Sequence, residues 1–382
     1  APRRQARAAR KRAFSALHIH TSARSLHRIS DVHVRGRRGR ARAQPGPLAA
    51  VKFAAAPPAS DDGCGGGLRP GRAASAAGVN DFIMEKQRRR IEQKGARDAA
   101  RENLMKYSCF TTEIAGGIAH LRFSRPDKFN SFTPEFWREL PEAVTEISEN
   151  ARARVIVLSA EGKHFTAGMD ISVFMSGALD APAGNTHVAA EAFRHHVKAL
   201  QGTFSALENA HQPVLAAIQG GAVGAGVDLV SACDCRYASA DAFFCVQETA
   251  IGMTADVGTF PRLAKIIPEG WARQIAYTAE RLPAEKAKEI GLVNEVFDTH
   301  EALIDGVMEI AGRIAAHSPL AVTGCKQMIN YARDHTTADT LDYIALWNAA
   351  MLRADDIKES YIAKSEKRDP AFDELRPVKK SL

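Results

Sequence analysis

The segment PVLAAIQGGAVGAGVDLVSACD (213–234) constrains this chain more than any other. The apolar run PVLAAIQG (213–220) reads as a buried strand, the GAVGAG after it as a turn, and VDLVSACD as the opening of a helix. A helix entered through glycines leaves its first N–H groups unpaired and its positive dipole end accessible. The spacing GxxGxG differs from the GxGxxG of a dinucleotide fold, so a Rossmann reading is excluded.

An acid, Asp228, stands inside this apolar stretch, and two more follow in similar company. Glu248 closes DAFFCVQE (241–248) and Asp256 lies in TAIGMTADVGT (249–259). A carboxylate among small and apolar residues is costly to bury without a partner. Acids gathered in one poorly hydrated site acquire divergent pKa values, so one can take a proton while another gives one. Any single one of them could instead cap a helix or pair with a base such as Arg236 or Arg262. FTAGMD (165–170) is a second segment whose small residues let the main chain approach a ligand. Two N–H groups converging from these loops would form an oxyanion hole for a thioester enolate.

The surrounding pattern is mixed α/β. CFTTEIAGGIAHLRFSRP (109–126) alternates as a hairpin about Gly116 and Gly117. Thr133 and Pro134 open a helix carrying Phe136, Leu140, Val144 and Ile147, which Pro141 should kink. RVIVLSA (154–160) reads as a buried strand, 172–190 as a variable loop, 190–210 as a helix and 236–246 as a strand. The helix PAEKAKEIG (283–291) precedes a strand LVNEVF, and helices fill the chain from Glu301 onward.

Charge divides the chain. Residues 1–60 hold 14 Lys or Arg against one acid, a net of +13, whereas the remainder holds 37 basic and 43 acidic residues, a net of −6. An Arg-rich, acid-poor N-terminus has the composition of a transit peptide, so a mitochondrial location is expected, with the peroxisome as the alternative. The final Lys380-Ser381-Leu382 scrambles the Ser-Lys-Leu peroxisomal signal. The expected domains are a basic, low-complexity extension over 1–106, a catalytic core over 107–300 and a helical oligomerisation region over 301–382. Translation from Met84, the first methionine, would remove the basic arm. The six cysteines have no zinc-type spacing, so reduced thiols are expected, and no apolar run is long enough to span a membrane.

From Phe110 to Glu366 the chain resembles the crotonase superfamily of enoyl-CoA hydratases and isomerases, through RFSRPDKFNSF, FTAGMDI, QGGAVGAGVDLVSACDCRYAS and the segment from Ala284 through AKEIGLV. The resemblance implies a crotonase (ClpP-like) α/β spiral of ββα units with a C-terminal helical trimerisation region, assembling as a homotrimer or homohexamer. It implies an acyl-CoA thioester substrate, with coenzyme A arriving as part of it, and no metal or other cofactor. The backbone N–H groups of Met169 and Ala225 would form the oxyanion hole. Ala167, Gly168, Met169, Asp170, Ile171 and Ala225 would flank the substrate.

Hydratases of this family use two glutamates, at the positions of 228 and 248. Here the first is aspartate, and Asp256 adds a third acid at intervals of 20 and 8. That set, with YARDHTTADTLDYIALWN, resembles the dienoyl-CoA isomerase branch. The resemblance implies conversion of a 3,5-dienoyl-CoA to a 2,4-dienoyl-CoA in fatty acid β-oxidation. Glu248 would take the C2 proton, Asp256 would return one at C6, and Asp228 would tune Glu248. Phe243, Phe244, Ile251 and Met253 would line a water-excluding pocket. Enoyl-CoA hydration is the competing reading; RNA binding, suggested by the basic arm, runs against the acidic remainder. His164, His195 and His196 are read as structural or surface residues. Lys128 and Lys326 are equally consistent with coenzyme A contacts and with solvated lysines.

Overall fold

The computed structural model describes residues 107–175 and 186–378; the basic extension, Cys64, Met84 and the terminal Lys-Ser-Leu lie outside them. Strands β1 (Phe110–Ala115) and β2 (Ile118–Phe123) form the expected hairpin, with Gly116 and Gly117 at φ of 60° and 83°. Strands β3 (Val155–Ala160), β4 (Val214–Ile218), β6 (Cys235–Ser239) and β9 (Glu295–Phe297) add to β2 in parallel, giving the order β1-β2-β3-β4-β6-β9. A second sheet stands beside it, built from β5 (Gly221–Val223), β7 (Phe243–Cys245) and β8 (Leu282–Pro283).

The two sheets explain where the sequence reading was too coarse. GAVGAG is strand β5 followed by the start of helix α4 (Ala225–Ala232), not a turn. The single strand expected over 236–246 is β6 and β7, which belong to different sheets. Each turn of the spiral therefore places one strand in the large sheet and one in the small sheet before its helix. In the first turn, Thr166 bridges Ala222 in parallel and stands in for a strand of the small sheet.

Both faces of the central strands β3 and β4 are buried, so they read as continuous apolar runs. Ile156, Leu158, Ala216 and Ile218 face the main core with α1 (Pro134–Glu149) and α4. Val155, Val157, Leu215 and Ala217 face Leu303, Val307 and Ala311 of α8 (His300–Ala315). Helix α8 packs against the sheet, and α9 (Pro319–Ala332) comes next, bonded back to the core through Lys326 and Thr323. Helices α10 (Thr337–Met351) and α11 (Ala354–Ser365) follow it. Segment 172–190 is partly helical: α2 (Ile171–Met175) precedes the undescribed residues and α3 (Thr186–Asn209) follows them. Helices α5 (Thr259–Ile266), α6 (Glu269–Thr278) and α7 (Ala284–Glu289) complete the molecule. Among the described residues, no helix is long and apolar enough to cross a membrane.

Helix α1 runs through Pro141 as one element. A proline removes the N–H that would bond the carbonyl four residues earlier. Here that carbonyl, of Trp137, accepts instead from the hydroxyl of buried Thr203 on α3 at 3.0 Å. Replacing Thr203 by Val keeps its shape and leaves the carbonyl unpaired. We expect a loss of about 1–3 kcal/mol in unfolding free energy, measured by chemical denaturation. An unchanged midpoint would show that this bond does not support the helix.

Candidate active site

The first loop of the site is held on two sides. Thr166 N–H donates to the Gly221 carbonyl at 3.0 Å and Val223 N–H donates to the Thr166 carbonyl at 3.1 Å. On the other side, Phe132 N–H donates to the Gly168 carbonyl at 2.8 Å and Asp170 N–H to the Phe132 carbonyl at 3.0 Å. In such a parallel bridge, the residue between the two bonded groups turns its own N–H away from the partner strand. That residue is Met169, and its N–H has no acceptor among the described residues. The N–H of Ala225, the first residue of α4, has none either.

The two N–H groups belong to segments in close contact. Gly168 adopts φ 82°, and a Cβ on it would lie 2.5 Å from the Val223 carbonyl oxygen and 3.3 Å from the Ala225 nitrogen. Only glycine permits this approach. Met169 N–H, one peptide further on, therefore opens beside Ala225 N–H. Asn130 buttresses the loop from below, donating to the carbonyls of Glu161 at 2.9 Å and His164 at 2.8 Å. Its own carbonyl accepts from the Thr166 hydroxyl, which in turn accepts from Gly168 N–H.

The three acids stand on different elements, and the charges of Asp228 and Asp256 both reach Glu248. Glu248 opens a 3-10 turn (Glu248–Ile251) after β7, and its Oε1 lies 3.3 Å from where a side chain at Gly224 would begin. The carboxylate thus sits against the residue preceding Ala225. Burial raises its pKa from 4.5 to about 7, with the charge of Asp228 adding to the effect. Asp228, fully buried in the first turn of α4, accepts from Thr259 N–H at 2.6 Å. It therefore caps the N-terminus of α5, one of the structural roles that the sequence left open. Burial raises its pKa from 3.8 to about 6, partly offset by Thr259. Asp256, half-buried in the loop before α5, also has its pKa raised by burial, and its charge acts on both other acids. Asp228 Oδ2 and Glu248 Oε2 are buried and have no hydrogen-bond partner among the described residues.

Other sequence-selected residues fall elsewhere. Asp170 spends its carboxylate within the loop, accepting from Ser131 Oγ at 2.6 Å and from the N–H and hydroxyl of Ser172. Those bonds lower its pKa to about 2. Ala167 and Ile171 are exposed at the edge of the site. Phe244 is buried in the core, and Phe243 packs under Arg281, whose guanidinium lies 4.4 Å from the ring centre. Those two rings therefore do not form the expected lining; Ile251 is exposed and Met253 half-buried.

His164 accepts from Gly221 N–H at 2.9 Å and serves the loop. His195 and His196 are exposed on α3, where His196 faces the charge of Asp256. Lys128 is exposed. Lys326 is neither solvated nor available to a ligand: it is buried, donates to the carbonyls of Leu207 and Gln212, and pairs with Asp234 at 2.8 Å. Arg236 donates to the carbonyls of Leu292, Val230 and Cys233 rather than to an acid. Among the described residues, no group of three or more His, Cys, Asp or Glu side chains is placed to hold a metal ion.

A ββα spiral with paired free N–H groups beside buried carboxylates defines a crotonase-type chain, and the comparisons agree. The Enoyl-CoA hydratase/isomerase family profile matches residues 113–376. The Arabidopsis thaliana protein named peroxisomal Delta(3,5)-Delta(2,4)-dienoyl-CoA isomerase is 40% identical over 259 residues, covering 68% of this chain and 93% of that protein. The Rattus norvegicus protein named mitochondrial Delta(3,5)-Delta(2,4)-dienoyl-CoA isomerase is 40% identical over 253 residues, covering 66% of this chain and 77% of that protein. The crystal structure of an enoyl-CoA hydratase from Bacillus anthracis superposes with a TM-score of 0.62 at 30% identity, covering 71% of this chain and all of that one. This chain belongs to the enoyl-CoA hydratase/isomerase family.

Glu248 and Asp228 bind protons more tightly in the folded chain than in the unfolded one. Their contribution to stability therefore falls as pH rises from their ordinary values, 4.5 and 3.8, through about 7 and about 6. Replacing Glu248 by Gln removes its share. The difference in Tm between variant and wild type should shift in favour of the variant from pH 5 to pH 8; a pH-independent difference would contradict the raised pKa.

Proposed function

We propose that this chain is a Δ3,5-Δ2,4-dienoyl-CoA isomerase of fatty acid β-oxidation. The observation that carries this reading is Glu248 standing against the strand-to-helix turn that presents Ala225 N–H, one residue from a free pair of donors. The thioester oxygen would accept from Met169 and Ala225, with Ala167 to Ile171 flanking the substrate through the main chain. Coenzyme A comes as part of the substrate, and proton transfer here requires no metal or redox cofactor.

The proton and electron count closes on these residues. Glu248 takes a proton from C2, and the electron pair delocalises through the thioester carbonyl and the C3–C4 and C5–C6 double bonds. Negative charge on the oxygen is met by the two N–H groups, each worth about 3–4 kcal/mol in comparable sites. Asp256 then donates a proton at C6, leaving double bonds at C2–C3 and C4–C5. A base with a pKa of about 7 is matched to work near neutral pH. Asp228 is one methylene shorter than glutamate and is bonded to the start of α5, and its charge adds to the burial that raises the proton affinity of Glu248.

The relatives' names include both a mitochondrial and a peroxisomal location. With the basic arm, the mitochondrion is the proposed site and the peroxisome the alternative. A homotrimer or homohexamer is supported by the C-terminal helices, where Leu346 and Tyr361 are 69% and 73% exposed. Such apolar surface calls for a partner.

Glu248→Gln should lower the rate of 3,5-dienoyl-CoA isomerisation by about 10²- to 10⁴-fold, the usual worth of a general base. Asp256→Asn should lose isomerisation to a similar degree while C2 proton exchange with solvent continues. Full isomerase activity in Asp256→Asn would exclude the two-acid shuttle. Efficient hydration of crotonyl-CoA, with 3,5-dienoyl-CoA left unchanged, would favour the hydratase reading.

A further inference from the structure

The loop that carries Asp256 has little main-chain pairing of its own. Met253 N–H donates to the Glu248 carbonyl at 2.9 Å, and the next main-chain N–H along the chain to find an acceptor among the described residues is that of Thr259, on the Asp228 carboxylate. Helix α3 supplies the missing support from one face. Gln201 Nε2 donates to the main-chain carbonyl of Asp256 at 2.7 Å. Further along the same helix, Ser205 Oγ and Glu208 Oε2 each take hydrogen bonds of 3.1 Å from the guanidinium of Arg262. Positions 201, 205 and 208 recur at helical spacing and so share one face.

Arg262 closes the other end of the loop. A Cβ on Gly258 would lie 1.9 Å from its Nη1, so the guanidinium occupies the space of a side chain at 258. Gly258 stands at φ 133°, a conformation that glycine alone adopts freely. Glu208, which orients Arg262, also accepts from Arg333 at the end of α9, and its carbonyl accepts from Asn330. Gln201, Ser205, Glu208, Arg262, Arg333 and Asp256 line one cleft of about 360 Å³. Ala255 and Val257 are buried on either side of half-buried Asp256, so the loop exposes that acid alone between two anchored neighbours.

We propose that Gln201 and Arg262 are positioning residues that hold Asp256 at the reach needed to return a proton to the substrate. Gln201 fixes the peptide of Asp256 itself; Arg262 fixes the turn two residues later. Neither touches the reacting atoms. The proposal rests on the reading of Asp256 as the second acid, and it ties that acid to α3 and α9 rather than to its own loop.

The test uses the full chain and two variants, Gln201→Met and Arg262→Lys. Methionine keeps the length of glutamine without its donor, and lysine keeps the charge of Arg262 without its fork. A displacement of about 1 Å at a reacting group can cost about 10²-fold. Each variant should therefore lose roughly 10- to 100-fold in kcat for 3,5-dienoyl-CoA isomerisation. KM and the rate of C2 proton exchange should stay near wild type. In an Asp256→Asn background, Gln201→Met should have no further effect on isomerisation. Parallel losses of exchange and isomerisation would show a general structural role and overturn the proposal, as would wild-type kcat in both variants. If Asp256→Asn alone kept wild-type activity, the reading of Asp256 would fail first, which separates the two claims.

Discussion

The parallel bridge between Phe132 and Met169 is the constraint on which the site depends. It fixes the direction of the Met169 N–H, and the pairing of Thr166 with β5 brings that N–H beside the first turn of α4. Gly168 is required where the two segments meet, because a side chain there would strike the Val223 carbonyl. Helix α4 cannot satisfy the N–H of its own first residue. The donor pair is thus a by-product of how the spiral passes from sheet to helix, and it exists before any substrate arrives.

Desolvation then sets the character of the acids. Burial is the largest influence on all three, and the charge of a neighbouring acid adds to it at Asp228 and Glu248. Asp228 has one carboxylate oxygen engaged by the start of α5 and the other unpartnered, whereas Glu248 holds Oε1 against Gly224, the residue before Ala225. The two carboxylates thereby differ in surroundings: one is bonded to a helix start, and the other stands beside the turn into α4. The same Asp228–Thr259 bond links helix α4, which presents a donor, to the loop that carries Asp256.

Much of this was legible in the sequence, for identifiable reasons. The glycine-bounded apolar run over 213–220, the loop FTAGMD and the three acids each carry a local signal, and the family blocks join them. The second sheet was not legible, because β5, β7 and β8 are two or three residues long and too short for a periodic pattern. The supports of the site were also missed. Asn130, Thr166 and Gln201 act across long stretches of chain through carbonyls that no sequence pattern marks, and Arg262 acts through Ser205 and Glu208, more than fifty residues away. Lys326 misled for the opposite reason: a lysine on a helix reads as solvated, yet this one is enclosed by main-chain carbonyls and Asp234.

The most direct test of the account follows the thioester carbonyl itself. Isotope-edited infrared spectroscopy of a ¹³C1-labelled 2,4-dienoyl-CoA bound to the protein would read the hydrogen bonds at that oxygen. Two N–H donors acting together should lower the carbonyl stretching frequency well below its value in water, and Asp256→Asn should leave that shift in place. A bound carbonyl with its aqueous frequency would contradict the assignment of Met169 and Ala225 as the oxyanion hole.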